Sequence, residues 1–269
     1  MVNGAELART LSATGISWPA LLAAFAGAPR ERFLGPGPWE VLGPGGYETV
    51  TDPALVYRDV AVGFAPERRL NNGPPSALAR LIEALGPEEG DRVVHVGCGT
   101  GYYTAILAEL VGPRGTVTAL EVEPGLASQA REHLAGRENV RVLAEDGTLY
   151  DPGPAERILV NAGATHPLPL WLDRLTPGGT LVLPLTDREW LGGFLRIARE
   201  GERWPARFVL LGAAYPCAGA RDPQAEALLA GRFPVMDGGA VQSLRRDAHR
   251  AEETCWLHGA GYCLSTEER

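Results

Sequence analysis

Short apolar runs and amphipathic segments alternate through the middle of the chain. Residues 92–96 (RVVHV) form a β-branched run, and residues 103–110 carry apolar side chains on one helical side. Gly112 and Pro113 would end this helix, and residues 115–121 (GTVTALE) predict the next strand. Strands that alternate with helices predict a parallel sheet covered on both faces, so the chain is expected to adopt a doubly wound, mostly parallel α/β fold.

The alternation continues toward the C-terminus. The pattern predicts a third strand that begins at Asn139 and ends on Asp146 and Gly147, a fourth at 158–160, a helix at 168–175, a turn at 177–179 and a fifth strand at 180–184. Ligands of such sheets bind beyond the carboxyl ends of the strands. The loop at 161–167, which follows the fourth strand, should therefore border the reacting centre.

The segments before this pattern are less regular. Residues 34–47 are rich in glycine and proline but also contain aromatic residues, which predicts an ordered loop over an apolar surface. Residues 56–62 (VYRDVAV) alternate like a strand, and residues 76–85 predict a helix with Ser76 as its N-cap. His95, inside the first strand, is expected to be a core histidine.

Residues 220–269 are expected to form a C-terminal extension packed on a domain of residues 1–219. The extension should contain a short helix within 222–233 and a hairpin within 254–265. Four side chains in it are of types that bind metals: His249, Cys255, His258 and Cys263. Their spacing matches no standard zinc module, so the sequence predicts no metal site and the thiols are interpreted as packed apolar side chains.

Composition argues against several classes of protein. The net charge of −8 argues against a nucleic-acid partner, which would need a basic face. There is no run of eighteen apolar residues and no signal-peptide pattern at the N-terminus, so no membrane association is expected. The four cysteines form no CxxC pair, which predicts a reduced, cytoplasmic protein. The oligomeric state is not indicated.

A glycine loop follows the first strand in the form VGCGTGYY. Gly97, Gly99 and Gly101 allow close backbone approach, and Glu121 at the end of the second strand can accept hydrogen bonds from a ribose diol. A dinucleotide site would read GxGxxG, but Tyr102 replaces its last glycine. The altered loop favours S-adenosylmethionine, which has no phosphate, over an NAD-type cofactor or glycines that only make turns.

The third strand end adds an acid that can reach an adenine amino group, Asp146. The predicted cofactor-binding residues lie at strand ends and in the glycine loop: Gly97, Cys98, Gly99, Gly101, Tyr102, Glu121, Val122, Asp146, Gly147 and Asn161.

Several motifs together resemble the protein-L-isoaspartate (D-aspartate) O-methyltransferase family. They are APRERFLGPG (28–37), YRDVAVGF (57–64), the glycine loop, NVRVLAEDG, LTPGGTLVLPL and the segment RLNNGPPSAL (69–78). The resemblance covers about three quarters of the chain and fades near residue 219. It implies a Rossmann-like class I methyltransferase that uses S-adenosylmethionine to esterify a carboxylate of a protein or peptide.

The chain departs from the family in residues 69–78, which we call the opening loop. The family reads TISQP followed by an aromatic residue, and its serine lies beside the transferring methyl group. Gly73 occupies that position here, which is expected to leave room where the family has a hydroxyl, and the amides of Asn71 and Asn72 are the candidate donors to the acceptor. These three residues are the predicted catalytic set. The alternative interpretation is that the loop is only a turn that leads into the helix.

A carboxylate acceptor needs little acid–base machinery, because it is already ionised at neutral pH. Placement and exclusion of water can therefore supply the catalysis. Arg58, Ser76 and His166 are predicted substrate contacts. The alternative roles are a solvated strand face for Arg58 and a packed loop position for His166.

Three functions are compatible with these patterns. The first is methyl transfer to an Asp or isoAsp carboxylate in a protein or peptide. The second is a tailoring methyltransferase for a dedicated peptide or small-molecule acid, which the loss of the serine and the extension would favour. The third is a protein that binds S-adenosylmethionine without catalysis.

Overall fold

A computed structural model describes residues 4–230, 232–233 and 240–268. The chain divides into two compact units. The first comprises residues 1–83, 87–91 and 98–144, and the second comprises residues 84–86, 92–97 and 145–269. Among the described residues, every helix is too short or too polar to cross a membrane.

The first unit holds most of the helices. They are α1 (Gly4–Ala13), α2 (Pro19–Gly27), α3 (Pro75–Leu85), α4 (Tyr102–Val111) and α5 (Pro124–His133). Helix α4 is buried over most of its length, and Gly112, with φ of 64°, follows its last residue. This helix and its glycine stop confirm the prediction for residues 103–110 within one residue at each end.

A four-stranded sheet in the first unit has the order β2-β1-β3-β4. Its strands are β1 (Trp39–Gly43), β2 (Gly46–Val50), β3 (Val62–Ala65) and β4 (Leu70–Asn71). Two predictions were wrong here. Residues 34–47 contain a β-hairpin rather than a loop, and most of residues 56–62 form a 3-10 turn (Pro53–Tyr57) and an irregular segment rather than a strand. The polar–apolar alternation was misleading because the carbonyl groups of this segment bind a buried arginine, described below.

The second unit carries most of the remaining strands. They are β5 (Arg92–Val96), β8 (Ala155–Val160), β9 (Leu175–Thr186), β10 (Leu191–Ala198) and β11 (Ala206–Ala213), and helix α6 (Pro169–Arg174) lies between β8 and β9. Strands β5, β8 and β9 run parallel, whereas β10 and β11 are antiparallel additions. The predicted turn at 177–179 was wrong, because β9 continues through it with Gly178 at φ of 82°.

The central sheet has the order β11-β10-β9-β8-β5-β6-β7. Strands β6 (Thr116–Leu120) and β7 (Val140–Leu143) belong to the first unit and pair in parallel. The predicted mostly parallel, doubly wound α/β fold is therefore confirmed. Strand β7 stops at Leu143, so Asp146 and Gly147 lie in the turn after the third strand rather than at its last residues.

The C-terminal residues add helix α7 (Pro223–Leu229) and a small sheet in the order β12-β14-β13. Its strands are β12 (Ser243–Arg245), β13 (Cys255–Gly259) and β14 (Tyr262–Ser265). The predicted hairpin and short helix are both present, although residue 231 of the predicted helical segment lies outside the described residues. The domain boundary at residue 219 stays a prediction.

Candidate active site

The glycine loop uses all three glycines for backbone conformations that L-residues rarely adopt. The φ angles of Gly97, Gly99 and Gly101 are 74°, 55° and 94°. A side chain at Gly101 would also meet Leu134 at 2.8 Å from the added Cβ. The loop therefore presents backbone where other residues would present side chains.

Glu121 is the acid predicted at the end of the second strand, and it lies directly after β6. The side chain is 6% exposed. Its Oε2 accepts a hydrogen bond from Gly99 N at 2.8 Å, and its Oε1 accepts one from Glu123 N at 3.1 Å. Burial raises the pKa of the Glu121 carboxyl, while the two backbone N–H groups counteract that shift. The carboxylate is thus fixed against the glycine loop, and two of its roughly four acceptor positions are already used.

Three other predicted cofactor residues of this unit differ in exposure. Val122 is 60% exposed, whereas Cys98 is buried and burial raises the pKa of its thiol. Tyr102 is fully buried, and its ring packs against Phe25 and Phe33. The predicted contacts of Cys98 and Tyr102 with a cofactor can therefore involve only their backbone, because their side chains belong to the core.

A buried arginine, Arg30, organises the opening loop. Its side chain is fully buried, and the five N–H groups of its guanidinium serve six acceptors, because an N–H of Nη2 is shared. Five of the acceptors are backbone carbonyls and one is a side-chain amide oxygen; they are Val56 O, Arg58 O, Val60 O, Asn72 O, Gly73 O and Asn72 Oδ1. One cation thereby joins the 56–60 segment to the opening loop. Sequence reasoning missed Arg30, although the PRERF motif that contains it was the available signal.

The two asparagines of the predicted catalytic set make local hydrogen bonds. Asn71 Oδ1 accepts from Gly73 N at 3.0 Å, and Asn71 Nδ2 donates to Arg69 O at 3.0 Å. Asn72 is 6% exposed, and its Oδ1 accepts from Arg30 Nε at 3.2 Å. Both side-chain oxygens therefore shape the loop, and a role as donors to an acceptor falls to the amide nitrogens.

Gly73 does not leave the expected space. Its φ is 22°, and a Cβ added there would lie 2.6 Å from Leu78 Cδ2. Its carbonyl accepts from Arg30 Nη2 at 2.9 Å and from Tyr103 Oη at 3.0 Å. The expectation of an open position was wrong. Hydrogen bonds fix the carbonyl group of Gly73, and the side chain of Leu78 in α3 fills the space where a Cβ would lie.

Ser76 is not the N-cap of α3, since the helix begins at Pro75. The backbone N–H of Ser76 donates instead to Asp59 Oδ1 at 2.8 Å, so an acid from the 56–60 segment serves the helix N-terminus. Arg58, the other predicted substrate contact of this unit, is exposed, and its carbonyl binds Arg30. The alternative prediction that Arg58 lies on a strand face was wrong, because residues 58–61 form no strand.

In the second unit, Asp146 begins a tight turn. Its Oδ1 accepts from Thr148 N at 2.8 Å and from Thr148 Oγ1 at 2.7 Å. The next residue, Gly147, lies so close to β5 that a Cβ would be 2.6 Å from Val96 Cγ1. Trp171 Nε1 donates to Gly147 O at 2.9 Å. The turn is therefore held rigidly with the Asp146 carboxylate half-buried.

The loop after β8 begins at Asn161, whose backbone N–H bonds to Val96 O at 2.8 Å. Its side chain is half-buried. His166 stacks on Tyr262 with ring centroids 5.3 Å apart, and Thr165 Oγ1 lies 3.1 Å from its Nδ1. Burial lowers the pKa of His166. His95, by contrast, is fully buried in β5, and burial lowers its pKa to about 3, as expected of a neutral core histidine.

The C-terminal extension also fixes this loop through Arg221, which sequence reasoning missed. Its Nη1 donates to Gly163 O at 3.1 Å and to Thr186 Oγ1 at 2.8 Å, and it forms an ion pair with Glu226. Thr165, fully buried, accepts from Asp222 N at 2.9 Å. No local pattern marked Arg221, because the loop carbonyl and the Thr186 hydroxyl that it binds are distant in sequence.

Comparison with known proteins gives a consistent result. The family model described as protein-L-isoaspartate(D-aspartate) O-methyltransferase matches residues 48–202. The protein-L-isoaspartate O-methyltransferase of Anaeromyxobacter dehalogenans (strain 2CP-1) is 36% identical over 219 residues, which cover 77% of this chain and 95% of that protein. The one of Methanopyrus kandleri is 40% identical over 168 residues, covering 57% of this chain and 73% of that protein.

Two solved structures resemble the chain over most of its length. A protein-L-isoaspartate O-methyltransferase gives a TM-score of 0.67 at 24% identity and covers 78% of this chain and 64% of its own. A Plasmodium falciparum protein provisionally assigned the same activity, solved with S-adenosyl-L-homocysteine, gives 0.63 at 18% identity and covers 80% of this chain and 98% of its own. At these sequence identities, the structural similarity shows only that this chain shares the fold of the two proteins.

Proposed function

Because the chain belongs to the protein-L-isoaspartate (D-aspartate) O-methyltransferase family, we propose that it methylates the free carboxylate of isoaspartyl residues in proteins or peptides. S-adenosylmethionine, when bound, supplies a sulfonium methyl group that an ionised carboxylate can take without a general base. The pKa of such a carboxyl is about 4 or below. The protein's task is then to hold both reactants and exclude water.

The anchored carboxylate of Glu121 is the observation that carries the cofactor assignment. Its two oxygens are oriented by the hydrogen bonds that they accept from Gly99 N and Glu123 N. The remaining acceptor positions of the carboxylate are free to bind a pair of ribose hydroxyls. The positive φ angles of Gly97 and Gly99 suit a ligand that approaches the backbone. These features fit S-adenosylmethionine, and Tyr102 at the place of the third dinucleotide glycine argues against a pyrophosphate.

The remaining cofactor contacts are assigned by chemistry. Val122, exposed directly after Glu121, offers an apolar surface for the adenine ring. Asp146 keeps its Oδ1 in the turn, so its Oδ2 is the atom proposed to accept from the adenine amino group. The backbone of Gly147 and the side chain of Asn161 complete the proposed set.

The opening loop is proposed to hold the acceptor. An isoaspartyl carboxylate that loses its water on entry must regain donors. The amide nitrogens of Asn71 and Asn72 are the proposed donors, with Arg58 as the cation that attracts the substrate. His166 carries a lowered pKa, so it would line the site as a neutral side chain rather than as an acid.

The activity is tested with labelled S-adenosylmethionine and a pair of peptides that differ only in an isoAsp or an Asp residue. We expect label in the isoAsp peptide that is released as methanol by mild base, because methyl esters are base-labile. Label that survives base, or equal labelling of both peptides, would contradict the proposal.

A separate test addresses the cofactor site. Glu121→Ala removes the acceptors of the ribose diol, and charge-assisted hydrogen bonds are worth about 1.5–3 kcal/mol each. Calorimetry should therefore show S-adenosylmethionine binding at least about tenfold weaker. Unchanged affinity in a folded variant would mean that the cofactor or the residue is wrongly assigned.

The family match supports this function over a tailoring enzyme for a dedicated acid and over a cofactor-binding protein without catalysis. We propose a cytoplasmic location as well, which rests on the sequence pattern.

A further inference from the structure

Four side chains of the C-terminal extension lie together although the sequence separates them. They are His249, Cys255, His258 and Cys263. Each offers one ligand atom, and these atoms all lie within 4.8 Å of one another. Cys255 Sγ is 3.6 Å from His249 Nε2 and 3.9 Å from His258 Nδ1. Two thiols and two imidazoles therefore converge on one point.

A bulge in β13 explains how the hairpin builds this cluster. Residues three apart in a regular strand point to opposite faces, so Cys255 and His258 should diverge. The pairing register shifts between Cys255 and Leu257, however, and places Cys255 opposite Ser265 and His258 opposite Cys263. Paired residues share a face, and so do Cys263 and Ser265. The bulge thus brings Cys255, His258 and Cys263 to the same face.

The fourth side chain comes from the loop between β12 and β13. Arg245 on β12 is paired with Cys263, so it lies on the same face of the sheet. Its guanidinium binds Asp247 at 2.7 Å and also Glu252, at the two sides of His249. These ion pairs fold the loop over the sheet and bring His249 to the cysteines.

The two separations around Cys255 are close to those of a tetrahedral zinc site. Bonds of about 2.3 Å to sulfur and about 2.0–2.1 Å to nitrogen, joined at the tetrahedral angle, place sulfur and nitrogen ligands about 3.6 Å apart and two sulfurs about 3.8 Å apart. The observed 3.6 and 3.9 Å between Cys255 Sγ and the two imidazole nitrogens need little adjustment.

Neighbouring groups favour the metal-binding forms of two ligands, the neutral imidazole of His249 and the thiolate of Cys255. Asp247 O lies 2.9 Å from His249 Nδ1, which favours the tautomer whose Nε2 lone pair faces Cys255. Histidine ligands of metals commonly donate their other N–H in this way. Glu252 N donates to Cys255 Sγ at 3.4 Å, a contact that favours the thiolate.

We propose that His249, Cys255, His258 and Cys263 bind one zinc ion as a closed structural site that fixes the C-terminal hairpin. Four protein ligands complete the coordination, so no position is left for a water or substrate. Two thiolates neutralise the charge of the ion. The site departs from the sequence-based expectation of no metal, which rested on spacing alone.

The first experiment is metal analysis of the full chain, purified with a thiol reductant and without chelator. We expect one zinc per chain, retained on dialysis. Cys255→Ser and His258→Gln should each lose it, while Cys217→Ser, which removes a buried cysteine outside the cluster, should retain it. Replacement by Co²⁺ should give the intense visible bands and thiolate charge-transfer bands of a tetrahedral site with mixed ligands.

Two outcomes would overturn the proposal. One is a reduced chain with four titratable thiols that takes up no stoichiometric zinc. The other is a Cys255–Cys263 disulfide that persists under reductant, because it would leave only the two imidazoles as ligands. If the cysteine variants fail to fold, His249→Gln in the loop between β12 and β13 provides the check. It should weaken zinc binding at least about tenfold, and wild-type affinity would count against the site.

Discussion

The hydrogen bonds of Arg30 make a quantitative prediction for Arg30→Lys. The guanidinium serves six acceptors, whereas a lysine ammonium has three N–H donors. At least three acceptors around this fully buried side chain would then lose their donor. Each charge-assisted hydrogen bond is worth about 1.5–3 kcal/mol, and Tyr103 Oη still serves Asn72 O and Gly73 O. Because Tyr103 compensates in part, the net loss should correspond to about two such bonds, or about 3–5 kcal/mol.

That loss is below the usual total stability of about 5–15 kcal/mol, so the variant should still fold. Urea denaturation followed by fluorescence measures the loss, with Arg32→Lys as the control because Arg32 is exposed in the same 3-10 turn. The remaining effect should appear in catalysis. Residues 72 and 73 lose their support, so turnover of an isoaspartyl peptide should fall while S-adenosylmethionine affinity changes little.

A free energy of unfolding for Arg30→Lys within about 1 kcal/mol of that for Arg32→Lys would refute this prediction, since the acceptors would then have found other donors. If cofactor affinity of Arg30→Lys falls as much as its turnover, the opening loop belongs to the cofactor site and not to the acceptor site.

Three further predictions follow from single contacts. Tyr103→Phe removes the donor to Gly73 O and should lower the free energy of unfolding, measured with urea, by about 1 kcal/mol. Tyr102→Phe should leave it unchanged, since within the described part of the chain the Tyr102 hydroxyl is buried without a partner. Equal losses in the two variants would refute this prediction. Gly73→Ser should destabilise by about 1–3 kcal/mol, because its Cβ meets Leu78 Cδ2; an unchanged unfolding midpoint would show that Leu78 moves freely. Burial raises the pKa of Glu121, and the ionised carboxylate accepts from the ribose, so calorimetry should show cofactor affinity falling as pH drops through that raised pKa. Because the folded protein holds this proton more tightly than the unfolded chain, the unliganded protein should gain stability as pH falls through the same window. Glu121→Gln should abolish both effects.

The parallel core was predictable because its buried residues recur along the sequence with the regular spacing of strands and helices. Strand β5, helix α4 and the position of Glu121 all followed from apolar spacing and glycine stops. The hairpin β1–β2 was missed, since its glycines and prolines marked turns but its half-buried strands lacked a continuous apolar run. The segment at 56–62 was misassigned because its conformation depends on Arg30, more than twenty residues away.

The site shows the same division. Residue types at strand ends indicated the cofactor chemistry, whereas the opening loop depends on hydrogen bonds between backbone carbonyls and one distant side chain. In the extension, a single bulge places Cys255 on the same face of the sheet as His258, whereas a regular strand would place them on opposite faces. A bulge leaves no composition signal at Trp256, so alternation counted along the sequence could not bring the four ligands together.

The contacts of Arg30 also bear on how this family can change its specificity. Five of its six acceptors are main-chain carbonyls, which every amino acid supplies. Substitutions at Val56, Arg58, Val60 or Gly73 therefore leave these anchoring contacts available, provided that the new side chain fits its surroundings. Side chains at Val56, Arg58 and Val60 can therefore change while the main chain of this segment keeps its contacts with Arg30.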